Sequence, residues 1–413
     1  MNIKQFIFRT VALGWFSLVA TFASAQSLEK YYEKLSEFNA QYRTYYDSGQ
    51  YDLAIHPLTD LIHYLDSITA FKGPEYDESR EKIEQSLAYF KANTYYNLAC
   101  SYSLSHQKKA AIAALENAIA LGYKDYANMK NDSDFDFIRN EKRFKALLKQ
   151  LEQYDYLRAL KNAAPYLHED TDSLPRFVYQ PADETNLEQV REFFSLDKIA
   201  GEGDEISKIL NILRFVHDSI RHDGSNFALC EFDAIDIYNY HKSTGKGVNC
   251  RHLAITLNEM YLSMGFYSRY VTCMPKDPND QDCHVINVVW SSQLKKWIWV
   301  DPTFYAYVMD ENGTLLGIDE VRERLIDGRP LVLNEEANWN HKNQQTKEYY
   351  LESYMAKNLY YLVCVTESRF NPESRYRNTG SKYVVLVPSD VEKVSNEWNI
   401  QTSDADYFWQ TPE

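Results

Sequence analysis

The stretch G245-K-G-V-N-C-R-H-L-A-I-T-L-N-E-M-Y-L-S-M-G265-F decides the reading of this chain. Leu253, Leu257, Met260, Tyr261 and Met264 recur at spacings of three and four, which draws one apolar stripe along a helix beginning near Cys250. Asn249 suits the N-cap and Gly265 the stop. The cysteine thus stands where backbone N–H groups are unpaired and the helix dipole is positive, and both favour a thiolate. A small packing cysteine would fit the same helix start, so the flanking segments have to discriminate.

Upstream, D204-E-I-S-K-I-L-N-I-L-R-F-V-H-D-S-I-R places Ile206, Ile209, Leu210, Leu213, Val216 and Ile220 on one helical face, after a helix expected over about 187–199. Downstream the texture changes to β-branched and aromatic strands: F266-Y-S-R-Y-V-T, H284-V-I-N-V-V-W and K296-W-I-W-V-D. Helices followed by a run of strands indicate an α+β domain. His284 opens one strand and Asp301 ends the next. With S291-S-Q-L as the hairpin turn, His284 would lie directly opposite Asp301, within side-chain reach. A thiolate needs a base and the base needs an orienter, and Cys250, His284 and Asp301 supply those three residue types.

The motifs G247-V-N-C-R-H-L-A, C283-H-V-I-N-V-V-W and W297-I-W-V-D-P-T, in this order on a helix and two strands, resemble the transglutaminase-like superfamily, whose core is papain-like. The resemblance runs from about Ile206 to Pro330 and implies a cysteine-bearing helix packed on an antiparallel sheet. It implies Cys250 as nucleophile, His284 as general base and acid, and Asp301 as orienter, with the Cys250 backbone N–H as the usual first oxyanion donor. A second donor should come from upstream, where R221-H-D-G-S-N226 offers His222 and Asn226; Asn226 is taken as the candidate, although both residues suit a polar turn. Arg251 and His252 flank the cysteine, either to tune its charge or as part of a polar helix face. The activity implied is acyl transfer from an amide: hydrolysis of a peptide-like or peptidoglycan-derived bond, protein crosslinking, or cleavage of a glycan-linked amide. A non-catalytic adaptor with a recognition domain is the rival from another class.

Residues 27–164 read as helices with few prolines. Y95-Y-N-L-A-C-S-Y-S-L-S-H-Q-K-K-A-A-I-A-A-L-E-N-A-I-A-L-G alternates small Ala99, Ala111 and Ala118 with bulky Leu98, Tyr102 and Leu115, and Y45-Y-D-S-G-Q-Y-D-L-A-I matches part of the pattern. These segments resemble tetratricopeptide repeats, which present a surface suited to a protein partner. Residues 165–186 carry prolines and aspartates without a helical period and read as a linker or an extended lead-in; 187–335 is expected as the transglutaminase-like domain and 336–413 as its C-terminal extension. In that extension Trp339, Tyr354 and Tyr361 suit a cleft wall, but the core is the ordinary place for them.

At the start, Lys4 and Arg9, an apolar run from Val11 to Phe22 and A23-S-A before Gln26 have the features of a signal peptide over residues 1–25, so export to the periplasm or exterior is expected. The run is too short for a membrane span. Loss of the leader takes the formal charge from −15 to −17, which repels nucleic acid. Six cysteines are too scattered for a disulfide-built fold, although a bridge between Cys273 and Cys283 could close the Pro and Asp loop between them. No C-x-x-C or H-x-x-x-H pair accompanies Cys283-His284, so neither a metal nor another cofactor is indicated.

Overall fold

The computed structural model describes residues 22–68, 80–169, 173–224, 226, 228–277, 280, 282–394 and 400–413. Most of the leader read at 1–25 lies outside them. The chain divides into two compact units, Met1–Asp155 and Tyr156–Glu413. Among the described residues no helix is long and apolar enough to cross a membrane.

In the first unit α1 (Phe22–Asp47), α2 (Tyr51–Ser67), α3 (Arg80–Leu104) and α4 (Lys108–Ala120) each pack on the next in sequence. Ala99, Ala111 and Ala118 are fully buried with Leu115, so small residues let the backbones of α3 and α4 approach closely. Two shorter helices, α5 (Tyr126–Asn131) and α6 (Lys142–Leu151), close the core through Met129, Phe144 and Leu147. This helical region is consistent with helical repeats.

The second unit is α+β. Helices α7 (Thr185–Phe194), α8 (Leu196–Ala200), α9 (Glu205–Ser219) and α10 (Ala234–Thr244) gather around α11 (Cys250–Ser263). Strands β1 (Ser268–Met274), β2 (His284–Ser291) and β3 (Lys296–Val300) follow, then α12 (Ile318–Asp327). The extension adds β4 (Tyr361–Val365), β5 (Tyr383–Leu386) and β6 (Ile400–Thr402). The sheet order is β6-β5-β4-β1-β2-β3, antiparallel except for the β5–β6 pair.

Helix α11 ends as its sequence dictates. Gly265 takes φ +80°, its N–H reaches Leu262 O at 2.9 Å and the Phe266 N–H reaches Tyr261 O at 2.9 Å, a Schellman pair with the two rings in edge contact. The single apolar stripe, however, understates the burial. Thr256, Asn258, Glu259 and Ser263 are buried too, because helices cover one side of α11 and the sheet the other. Glu259 accepts the backbone N–H groups of Ala234 and Asn371 at 2.8 Å each, and Asn258 donates to Ser368 Oγ at 2.9 Å.

Two further expectations change, and a bridge left open between Cys273 and Cys283 is absent. The β2–β3 hairpin pairs Ser291 with Lys296, so its loop is 292–295, and the register lies two residues from the expected one. Glu205 sets it by accepting the Ser292 and Gln293 N–H groups, and Lys295 takes the left-handed φ of +54° that ends the turn. A shift of two keeps every side chain on its face. Residues 165–186 are no free linker: Leu167 bonds Ser403 O at 2.7 Å and Val178–Tyr179 pairs in parallel with Glu367–Ser368. Phe177 and Trp297 face the buried Arg269 guanidinium at 4.2 and 4.6 Å, and that group donates to Phe408 O at 3.0 Å. Cys273 and Cys283 are both free thiols, Cys273 being enclosed within β1.

Candidate active site

Cys250 is the first residue of α11, and Asn249 caps the helix by accepting the His252 N–H at 3.1 Å. The N–H of a first helical residue has no intrahelical acceptor, so the Cys250 N–H is available to a ligand oxygen. Cys250 as a residue is half-buried. Asn287 on β2 donates to Ala254 O at 2.9 Å and fixes the first turn of α11 against the strand that carries His284.

His284 and Asp301 are fully buried, and His284 Nε2 bonds Asp301 Oδ2 at 2.7 Å. Asp301 is in register with Ile286, one diagonal step from His284 on the same face, which is within reach across a strand pair. The carboxylate is held from all sides. Oδ1 accepts the Thr303 and Phe304 N–H groups at 2.8 and 3.4 Å, and Oδ2 also accepts the Tyr350 hydroxyl at 2.6 Å. Trp299 Nε1 donates to the same hydroxyl oxygen at 3.2 Å. The imidazole is flanked by Phe304 and Tyr354 at centroid distances of 5.5 and 5.2 Å.

With Nε2–H committed to a carboxylate, Nδ1 is the nitrogen left for the thiol. Burial would raise the Cys250 pKa, but the neighbouring His222 and His284 imidazoles outweigh it and bring the thiol down to about 6. Burial likewise opposes the charge on His284, yet Asp301 first and Cys250 second lift it to about 10. The arrangement is that of a thiolate–imidazolium pair between those values. The other two half-buried cysteines are inert: burial pushes Cys230 up to about 12 and raises Cys283.

The remaining candidates have other surroundings. Asn226 directs its amide hydrogens to Gly247 O at 2.5 Å and Tyr240 OH at 3.2 Å, so it braces the turn before the cysteine and is not the free donor expected. Arg251 is tied to Glu373 at 2.8 and 3.0 Å and to Thr272 at 2.9 Å, and His252 is buried with Nδ1 on Asn249 Oδ1 at 2.6 Å. Neither belongs to a solvated helix face. Sequence reasoning missed Tyr350 altogether; its signal was a dense tyrosine cluster, 349–354, that carries no period of its own. Tyr361 is core, as ordinary packing would have it.

Among the described residues, two groups of side chains offer ligand atoms within 4.8 Å of one another and could meet a cation: His217, Asp218 and His341, and Cys100, Asp132 and Asp134. In the second, the hydroxyls of Tyr96 and Tyr46 already donate to the two carboxylates at 2.8 and 2.5 Å. The triad includes neither group.

Residues 194–302 match the family model of the transglutaminase-like superfamily. An 87-residue segment, 20% of this chain, is 34% identical to a chloroplastic protein of Arabidopsis thaliana and covers 26% of that protein. The alignment thus spans about a quarter of that relative's length. No solved structure matches the chain. A family match that ends at Pro302 takes in the cysteine helix, the histidine strand and the aspartate, and it identifies residues 194–302 as a transglutaminase-like superfamily domain.

Proposed function

We propose that this protein is an exported cysteine-dependent acyl-transfer enzyme that hydrolyses a peptide-like or peptidoglycan-derived amide. The observation that carries the reading is the 2.7 Å bond between buried His284 and Asp301 beside half-buried Cys250, its thiol lowered to about 6. The Cys250 thiolate attacks the amide carbonyl, forming the C–S bond while the π pair moves to oxygen. Collapse restores the carbonyl and breaks C–N, and the imidazolium of His284 gives its proton to the leaving amine. Neutral His284 then takes a proton from water, whose hydroxide oxygen attacks the thioester. The tetrahedral adduct expels the thiolate and leaves the acid. Asp301 holds the ring through its hydrogen bond to Nε2.

Water is favoured over an amine acceptor because it needs no second binding site. Export rests on the leader read at residues 1–25. The helical N-terminal region would serve a protein partner.

The test is capture of the acyl-enzyme from a library of peptides and cell-wall fragments, mapped by mass spectrometry. Modification at Cys250 that disappears in Cys250→Ala is expected. Iodoacetamide near neutral pH should label the same residue first, since its competitors keep their protons. A Cys250 that is alkylated readily but forms no thioester with any amide or activated ester would sink the proposal and leave a binding domain.

A further inference from the structure

We infer that His222 is a further catalytic residue: its Nε2–H is the second oxyanion donor, opposite the backbone N–H of Cys250, and Trp339 selects the tautomer that makes it one. The inference rests on the acyl-transfer reading of Cys250.

The position of His222 follows from backbone pairing. The Val248 N–H bonds Arg221 O at 2.9 Å and the Asp223 N–H bonds Val248 O at 2.7 Å, so residues 221–223 lie alongside the segment that enters Cys250. Gly247 permits this approach. A Cβ there would stand 2.6 Å from Asp223 Cβ and 2.8 Å from Arg221 O.

The ring is held as firmly as the backbone. Asn340 accepts the His222 N–H at 2.8 Å and donates to its carbonyl at 2.9 Å. Trp339 Nε1–H donates to His222 Nδ1 at 2.9 Å. An indole N–H can only donate, so Nδ1 is the bare nitrogen and Nε2 carries the proton. That Nε2 is buried and has no hydrogen-bond partner, while the ring acts on the Cys250 sulfur.

A buried donor without an acceptor is costly, and a site retains one when an acceptor arrives during turnover. The oxygen of the tetrahedral adduct is that acceptor: it forms two bonds from Cys250 Sγ, on the carbon the sulfur has attacked, between the Cys250 N–H and the His222 Nε2–H. Asn226 is unavailable for the task, since both its amide hydrogens are in use.

The experiment compares two reactions of the same sulfur in the full-length protein. Acylation by 4-nitrophenyl acetate passes through an oxyanion; alkylation by iodoacetamide does not. Both rates scale with the thiolate fraction, so their ratio cancels any change in the cysteine itself. His222→Ala should lower the acylation-to-alkylation ratio by about 10²–10³-fold, the usual loss for one oxyanion donor. His222→Gln, which can return an N–H near the Nε2 position, should recover a large part. Trp339→Phe should lower the ratio less, by releasing the tautomer. An unchanged ratio in a folded His222→Ala or Trp339→Phe protein overturns the inference while leaving Cys250 as nucleophile. Failure of the wild type to acylate at Cys250 overturns both.

Discussion

Replacing Asp301 by Asn tests the triad at the point where its surroundings leave the amide no choice. Asp301 Oδ1 accepts two backbone N–H groups, whereas Oδ2 faces His284 Nε2 and the Tyr350 hydroxyl. An Asn must therefore keep its oxygen at the Oδ1 position and present its NH2 to the imidazole. His284 Nε2 then has to accept, its proton moves to Nδ1, and the nitrogen facing Cys250 can no longer take the thiol proton. An orienter of the wrong kind costs about 10⁴ in turnover by this route. The electrostatic part is separable. Asp301 supplies the larger share of what lifts His284 from 6.5 to about 10 against burial. Its loss should bring the imidazolium pKa down by about two to three pH units, ~3–4 kcal/mol. The sign is fixed: a raised imidazole pKa keeps the reactive pair until pH climbs through it, so the wild-type rate falls only near pH 10 and the variant should fall in the neutral range. The rising limb, near 6 in the wild type, should move up as the imidazolium that stabilises the thiolate is lost. Iodoacetamide rates against pH, with thermal unfolding as a control for folding, read both limbs. A folded Asp301→Asn protein with both limbs in place would refute the argument and leave Asp301 as the end of a strand.

Gly247→Ala should destabilise the protein by about 1–3 kcal/mol, since the new methyl meets Asp223 Cβ and the Arg221 carbonyl well inside contact distance; denaturant unfolding measures it, and a neutral result would mean that the 221–223 turn yields easily. Glu259→Gln should cost about 1–3 kcal/mol despite its matching shape, because both carboxylate oxygens accept backbone N–H groups and an amide can satisfy only one of them. An unchanged denaturation midpoint would argue against that pairing.

The residues of the triad were legible because each sits on a local signal. Asn249 before an apolar period marks the helix start, and the β-branched and aromatic runs 284–290 and 296–300 mark the strands. What escaped depends on distant partners. The hairpin register is set by Glu205, more than 80 positions upstream of the turn it caps. The segment 165–186 looks like a linker because its strand, Val178–Tyr179, is a pair only in the presence of Glu367–Ser368. Between His222 and Asn226 the sequence offers two polar residues in one turn, and the indole that distinguishes them lies 117 positions away. Tyr350, 49 positions beyond Asp301, has the same character.

The sheet order also dictates a sequence of events in time. Strand β1, the neighbour of the histidine strand, borders β4 on its other edge through Thr272 opposite Val363. While the chain is being made, β1 therefore waits about ninety residues for the strand that covers it, and unpaired strand edges are where chains associate wrongly. Arg269 waits longer still, for the carbonyl of Phe408. Cys250 and His284 can meet early, but the strand between them and the rest of the sheet is enclosed only when the last tenth of the sequence has emerged. The chemistry of the domain is thus completed by residues that take no part in it.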